Sequence, residues 1–125
     1  MSAKPPVEHL TLAGFDEAVA GGVSVVDFWA GWCAPCRAMA PQLERAAGLR
    51  PQYRFAKVDV DAEPELADRF AIRSIPTLMI FRDGRPVAAQ AGVIAAEQLV
   101  AAVDRSATAP SAHDAQPSSE VGQAA

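Results

Sequence analysis

Cys33 and Cys36, the two cysteines of this 125-residue chain, lie three positions apart in the stretch Trp-Cys-Ala-Pro-Cys. Two thiols at this spacing can carry out disulfide exchange: one attacks a disulfide as a thiolate, and the other closes a ring with it and releases the product. A structural zinc site is a second interpretation, but it needs about four ligands, and the histidines available are His9 and His113. An inert buried pair is a third interpretation. The redox dithiol is the one we favour.

The elements around the pair predict a reactive thiol at Cys33. Residues 25–28 read as a buried strand, because β-branched and aromatic residues crowd together without a helical period. Met39 and Leu43 then share one face at helical spacing, and Pro35 suits the first turn of that helix. Cys33 therefore falls at a helix start, where the partial positive charge favours a thiolate.

Asp27 is an acid within the predicted buried strand, between Val26 and Phe28. Burying a carboxylate costs free energy unless it is paired or protonated. Desolvation would raise the pKa of Asp27 towards neutrality, which suits a group that exchanges a proton with Cys36. If the strand instead turns the side chain to solvent, Asp27 is an ordinary surface acid.

The rest of the pattern predicts the element order βαβαβαββα. Helical crossovers imply parallel pairing of the early strands, and Asp83-Gly84 is a hairpin signal that implies an antiparallel end. The fold class is therefore α/β, with a mixed central sheet flanked by helices on both sides. Thr11 is the predicted cap of the first helix, Gly48 the predicted stop of the second, and residues 94–105 the predicted last helix.

The composition of the chain indicates which kinds of binding partner and which cellular location to expect. The chain is 50% hydrophobic and 21% charged with a net charge of −4, which argues against nucleic-acid binding. No run approaches the ~20 apolar residues that span a bilayer, and residues 1–6 lack the apolar segment of a signal peptide. We expect a cytoplasmic protein with no membrane partner. Residues 1–6 are predicted to be a flexible N-terminus, 7–105 one domain, and 106–125, rich in Ser, Ala, Pro and Gln, a disordered tail.

Four separated motifs resemble the thioredoxin family in order and spacing, over about residues 7–105. They are Asp27-Phe28-Trp29-Ala30 with the Trp32–Cys36 stretch, Ala56-Lys57-Val58-Asp59-Val60-Asp61, Ile75-Pro76-Thr77, and Gly92. The resemblance implies the thioredoxin fold and a protein disulfide reductase with no bound cofactor, whose working group is a Cys33–Cys36 disulfide. It implies disulfide-bearing proteins as substrates, an NADPH-dependent thioredoxin reductase as electron donor, and a monomer.

The resemblance also implies a role for each site residue. Cys33 is the nucleophile, Cys36 the resolving cysteine and Asp27 the proton acceptor; Lys57, which faces inward by the alternation of its strand, tunes Asp27. The implied substrate surface consists of Trp32, Ile75, Pro76, Gly92 and Val93, with a cis peptide bond before Pro76. Simpler interpretations remain: a surface lysine at 57, surface packing at 32, a strand entry at 75–77 and a loop glycine at 92.

The dipeptide Ala34-Pro35 departs from the Gly-Pro that is commonest in the family. Both residues are implied to tune the redox poise, because the dipeptide affects the relative stability of dithiol and disulfide. An oxidase or isomerase of the same fold is therefore one alternative function. A redox-independent module that binds partners through the same surface is another.

Overall fold

A computed structural model describes residues 6–109. Its strands are β1 (Val7–His9), β2 (Val23–Trp29), β3 (Arg54–Asp59), β4 (Thr77–Arg82) and β5 (Arg85–Ala91). Its helices are α1 (Leu12–Val19), α2 (Ala34–Leu49), α3 (Pro64–Arg69) and α4 (Ala96–Thr108). The predicted element order and the α/β class are confirmed.

The five strands form one mixed sheet in the order β1-β3-β2-β4-β5. β3 pairs in parallel with both β1 and β2, while β4 runs antiparallel to β2 and β5 antiparallel to β4. The turn between the last two strands places Asp83 at φ 51° and Gly84 at φ 87°, the left-handed region that a tight hairpin requires and that these residue types tolerate. The parallel and antiparallel halves are both as predicted.

Side chains of β2 alternate between two packed layers. On the α2/α4 face, Val25 packs with Met39, Leu43 and Leu99 of the helices; on the α1/α3 face, Val26 and Phe28 pack with partners such as Phe15 and Leu66. A central strand covered on both sides explains the unbroken apolar run of the sequence. It also leaves no exposed side for Asp27.

Two helix ends differ from prediction in ways that long-range contacts explain. Gly48 lies inside α2 without the positive φ of a helix stop. The helix ends one residue later, where the Arg50 guanidinium donates paired hydrogen bonds of 2.9 and 2.8 Å to the Asp104 carboxylate of α4. Thr11 is at the N-cap of α1, but its side chain makes no capping bond; the Leu12 N–H donates instead to Glu63 Oε1 at 2.9 Å.

The last helix is longer than predicted. α4 continues three residues past Arg105, to Thr108, and the Arg82 guanidinium of β4 donates to the carbonyls of Ser106 and Ala109. These bonds supply partners for carbonyls that a helix C-terminus leaves free. Residues 106–108, assigned by the sequence to the tail, are therefore helical. Residues 1–5 and 110–125 lie outside the described residues, and the division into domain and ends stays a prediction.

Candidate active site

Cys33 and Cys36 are joined in a disulfide at the start of α2, with Cα atoms 5.2 Å apart. Cys33 is the N-cap of the helix and Pro35 lies in its first turn, as the sequence predicts. The Cys36 N–H donates to Cys33 Sγ at 3.2 Å. The helix therefore directs a free backbone donor, together with its dipole, at the sulfur of Cys33.

The loop before the helix is fixed by its own hydrogen bonds. The Cys33 N–H donates to the Ala30 carbonyl at 3.2 Å, and the Arg37 guanidinium donates to the Gly31 carbonyl at 2.9 Å. Ala34 and Pro35 lie between the buried cysteines and are exposed to solvent. The dipeptide proposed to tune the redox poise is thus on the surface of the first helical turn.

Asp27 is completely buried, and by the alternation of β2 it shares the α2/α4 face with Val25. Neither carboxylate oxygen has a hydrogen-bond partner within residues 6–109. Burial raises the pKa of Asp27 to about 6, and the positive charge of Lys57 partly opposes that rise. The surface-acid interpretation is therefore wrong: the carboxyl is fully buried and its pKa is raised to about 6.

Lys57 pairs with Asp27 in the register of β2 and β3 and is half-buried. Its ammonium does not reach the carboxylate. Lys57 Nζ lies 4.3 Å from the centroid of the Trp29 ring, over its face. Trp29 in turn packs against the cluster of Ala30, Cys33 and Cys36. Sequence reasoning quoted Trp29 only as part of a motif and could not foresee this contact.

The loop before β4 closes the other side of the disulfide. The Ile75 carbonyl oxygen lies 3.7 Å from Cys33 Sγ; the oxidised sulfur carries no proton, so this is a contact and not a hydrogen bond. The Ile75–Pro76 peptide bond is cis, as the resemblance implies. The Gly92 N–H donates to the Pro76 carbonyl at 2.9 Å, which ties the end of β5 to the same loop.

Gly92 and Val93 complete the implied substrate surface. Gly92 has φ 91°, and a Cβ at this position would meet no atom within 4 Å. Its backbone thus favours glycine, while the space beside it is open, so the loop-glycine and substrate interpretations are compatible. Val93 is 45% exposed, so its aliphatic side chain is accessible to a partner.

Trp32 is 69% exposed, yet its position is fixed. The indole Nε1–H donates to Asp61 Oδ2 at 2.8 Å. Asp59 holds this loop, because its Oδ1 accepts from the Asp61 N–H at 2.9 Å. Sequence reasoning quoted Asp61 only as part of a motif and missed it as a site residue; its place two residues after Asp59, at the end of a strand, was the available signal.

Within residues 6–109, no group of three or more His, Cys, Asp or Glu side chains is arranged to hold a metal ion. His113, one of the two histidines considered for a zinc site, lies outside the described residues. Among the helices of the same range, none has the length and apolarity needed to cross a membrane.

Dithiol–disulfide exchange is the chemistry that this cysteine pair and this fold define, and a protein built in this way is a thiol–disulfide oxidoreductase. The sequence model of the Thioredoxin family matches residues 6–105. The chain belongs to the thioredoxin family. It is a protein disulfide reductase that carries electrons through the Cys33–Cys36 pair.

Curated relatives and a solved structure support the same family assignment. The chain is 43% identical to the thioredoxin of Staphylococcus haemolyticus and 41% to that of Staphylococcus saprophyticus, each over 100 residues that cover 79% of this chain and 96% of the relative. Its structure is similar to that of the Malassezia sympodialis thioredoxin, with a TM-score of 0.72 and 31% identity over 84% of this chain and 94% of that one.

Proposed function

We propose that the two cysteines divide the work of reduction, with Cys33 as the nucleophile and Cys36 as the resolving thiol. The observation that carries this assignment is the 3.2 Å hydrogen bond from the Cys36 N–H to Cys33 Sγ at the start of α2. A thiol titrates near 8.5 without such help. A backbone donor and a helix dipole aimed at one sulfur stabilise its thiolate.

The steps balance as two exchanges. The Cys33 thiolate attacks one sulfur of a substrate disulfide, that S–S bond breaks, and the first substrate thiolate leaves. A mixed disulfide now joins Cys33 to the substrate. The Asp27 carboxylate accepts the thiol proton of Cys36, and the Cys36 thiolate attacks Cys33 Sγ. The second substrate thiolate leaves, and the Cys33–Cys36 disulfide holds the oxidising equivalent.

Asp27 suits the proton transfer because its pKa is raised to about 6 by burial. An acceptor in this range is mainly ionised at neutral pH and is a stronger base than a carboxylate of ordinary pKa. In this proposal Lys57 keeps the carboxyl from becoming more basic still, since its charge lowers the pKa.

Substrates would dock on the surface formed by Trp32, Ile75, Pro76, Gly92 and Val93. The Ile75 carbonyl faces the sulfur, so its backbone is available to pair with an extended segment of the substrate. The exposed Trp32 ring and Val93 side chain offer apolar contact on this surface. This arrangement favours disulfide-bearing proteins over small-molecule disulfides as substrates.

The proposed electron donor is a thioredoxin reductase that uses NADPH. The decisive experiment follows NADPH oxidation and insulin precipitation in the presence of such a reductase and this protein. We expect catalytic turnover by the parent and none by the double variant Cys33→Ser/Cys36→Ser. Partner capture that survives in the double variant, with no insulin reduction by the parent, would support the redox-independent module instead. Cytoplasmic location and a monomeric state stay predictions.

A further inference from the structure

Three titratable side chains lie in one row across the sheet. His9 of β1 pairs with Lys57 of β3, and Lys57 pairs with Asp27 of β2. Paired residues on neighbouring strands are close enough for their side chains to interact. Lys57 is therefore placed to form an ion pair with Asp27, which is the usual requirement of a buried carboxylate.

That ion pair is not made. Both oxygens of Asp27 are without a hydrogen-bond partner in the described range. The Lys57 ammonium lies instead over the Trp29 ring, 4.3 Å from its centroid. The His9 ring meets the same indole in an edge arrangement, with centroids 6.2 Å apart. Trp29 follows Asp27 by two residues on β2, so both side chains are on one face.

An indole ring can compete for this ammonium. Of the aromatic side chains, tryptophan gives the strongest cation–π interaction. The Coulomb gain of a buried ion pair is offset by the cost of desolvating both charges. The Trp29 ring can therefore compete with the Asp27 carboxylate for the Lys57 ammonium.

We propose that Trp29 is a positioning residue, which holds the Lys57 ammonium on its ring face and so keeps Asp27 free of a direct ion pair. The inference rests on the proposed role of Asp27 as proton acceptor for Cys36. With an ammonium in direct contact, Asp27 would become a more acidic group and a weaker base for the thiol. Trp29 would thereby set the base strength of Asp27 through Lys57, without touching the reacting atoms.

The test is a titration of Asp27 in the oxidised protein, by NMR of its ¹³C-labelled carboxyl carbon. In that state Cys36 of α2 does not titrate. Titratable groups on the strands paired beside Asp27 and Trp29 are Lys57 and Asp59 of β3 and His9 of β1. The ring signals of His9 are followed in the same samples. We expect Trp29→Leu to lower the pKa of Asp27 by about 1 or more, because the released ammonium pairs with it. Trp29→Phe, which keeps a weaker ring face, should lower it less.

A double-variant cycle separates this mechanism from simple entry of water. In a Lys57→Met background, Trp29→Leu should leave the pKa of Asp27 unchanged, since no ammonium remains to be released. A fall of equal size in both backgrounds would overturn the proposal, as would an unchanged or raised pKa in the single variant. If the leucine variants do not fold, the same cycle with Trp29→Phe decides the question.

The titration needs no turnover, so it is independent of the assigned mechanism. A lowered pKa with an unchanged rate of mixed-disulfide resolution would uphold the positioning role of Trp29. It would at the same time contradict Asp27 as the proton acceptor.

Discussion

The two faces of the sheet have opposite characters although β2 contributes to both. The α1/α3 face is aromatic: the Phe81 ring lies 5.5 Å from Phe15 and 5.4 Å from Phe70, centroid to centroid. There, Ser24 Oγ is the buried polar atom without a partner in the described residues. The α2/α4 face holds the Asp27 carboxyl and the Trp29 indole N–H, both buried and without a partner in the described residues.

The difference shows where this small domain can tolerate an unfavourable group. Close aromatic packing on the α1/α3 face buries a large apolar area and stabilises the fold. The buried carboxyl on the other face costs stability, and in the proposed mechanism it supplies the base that deprotonates Cys36. Changes on the first face should therefore act on folding, and changes on the second on chemistry.

The largest effect on activity is expected from substitution of the cysteines. Either Cys33→Ser or Cys36→Ser should reduce insulin turnover to the background rate, because each removes one sulfur of the working pair. Cys36→Ser alone should accumulate mixed disulfides with substrate proteins on non-reducing gels, since Cys33 remains activated at the helix start. Equal trapping by the two variants would contradict the assigned roles.

On the aromatic face, we expect Phe81→Ala to lower the free energy of unfolding by about 3–5 kcal/mol, the usual cost of deleting a fully buried ring. Activity per folded molecule should not change. Phe81→Leu is the matched control, with a smaller loss because most of the volume is kept. Denaturant melts and insulin assays on the same samples measure both quantities. A large fall in insulin turnover by a folded Phe81→Ala variant would contradict the proposal that the α1/α3 face acts on folding alone.

Asp27→Asn, unlike Phe81→Ala, should raise the free energy of unfolding at neutral pH and lower the activity. The pKa of Asp27 is raised from 3.8 to about 6 in the folded protein, so the native state binds the proton more tightly than the unfolded chain. The free energy of unfolding of the parent should therefore fall by about 3 kcal/mol in total as the pH rises from about 4 to about 6.

The free energy of unfolding of the asparagine variant should not fall over this pH range. The stability of the variant relative to the parent should therefore be greater at pH 7 than at pH 4. Resolution of mixed disulfides at pH 7 should slow by about 10²-fold, the lower range for loss of a general base. Urea melts at several pH values and quenched-flow measurement of resolution check the two halves separately. Parallel pH profiles for parent and variant would count against a buried, ionising Asp27.

The smallest effect is expected at the exposed edge of the site. Asp61→Asn weakens the charged acceptor for the Trp32 indole and should change the free energy of unfolding by no more than about 0.5 kcal/mol. KM for a protein substrate should rise while kcat is kept, because a docking ring loses its fixed position. Asp68→Asn, on α3, is the control for loss of a surface charge. The same rise in KM in both variants would attribute the effect to charge and not to Trp32.

Local patterns made much of the fold predictable. Alternation and helical spacing are encoded within a few residues, so the element order and the Asp83-Gly84 hairpin could be predicted. Helix ends were less predictable because distant residues fix them: Arg50 is held by Asp104, and the end of α4 by Arg82. Gly48 is a residue type that commonly ends a helix, but here it lies inside α2.

The sequence by itself determined the chemistry of this protein. Cys33 and Cys36 fall at a strand-to-helix junction, and an acid lies inside an unbroken apolar strand. Only the tertiary structure decided that this acid is buried and how these groups meet. The Ile75 carbonyl reaches Cys33 Sγ across 42 residues of sequence, and the sheet register places Lys57 opposite Asp27 while its ammonium rests on Trp29. Periodicity specifies which face a side chain takes, but which of two competing partners it contacts depends on the packing of separate strands.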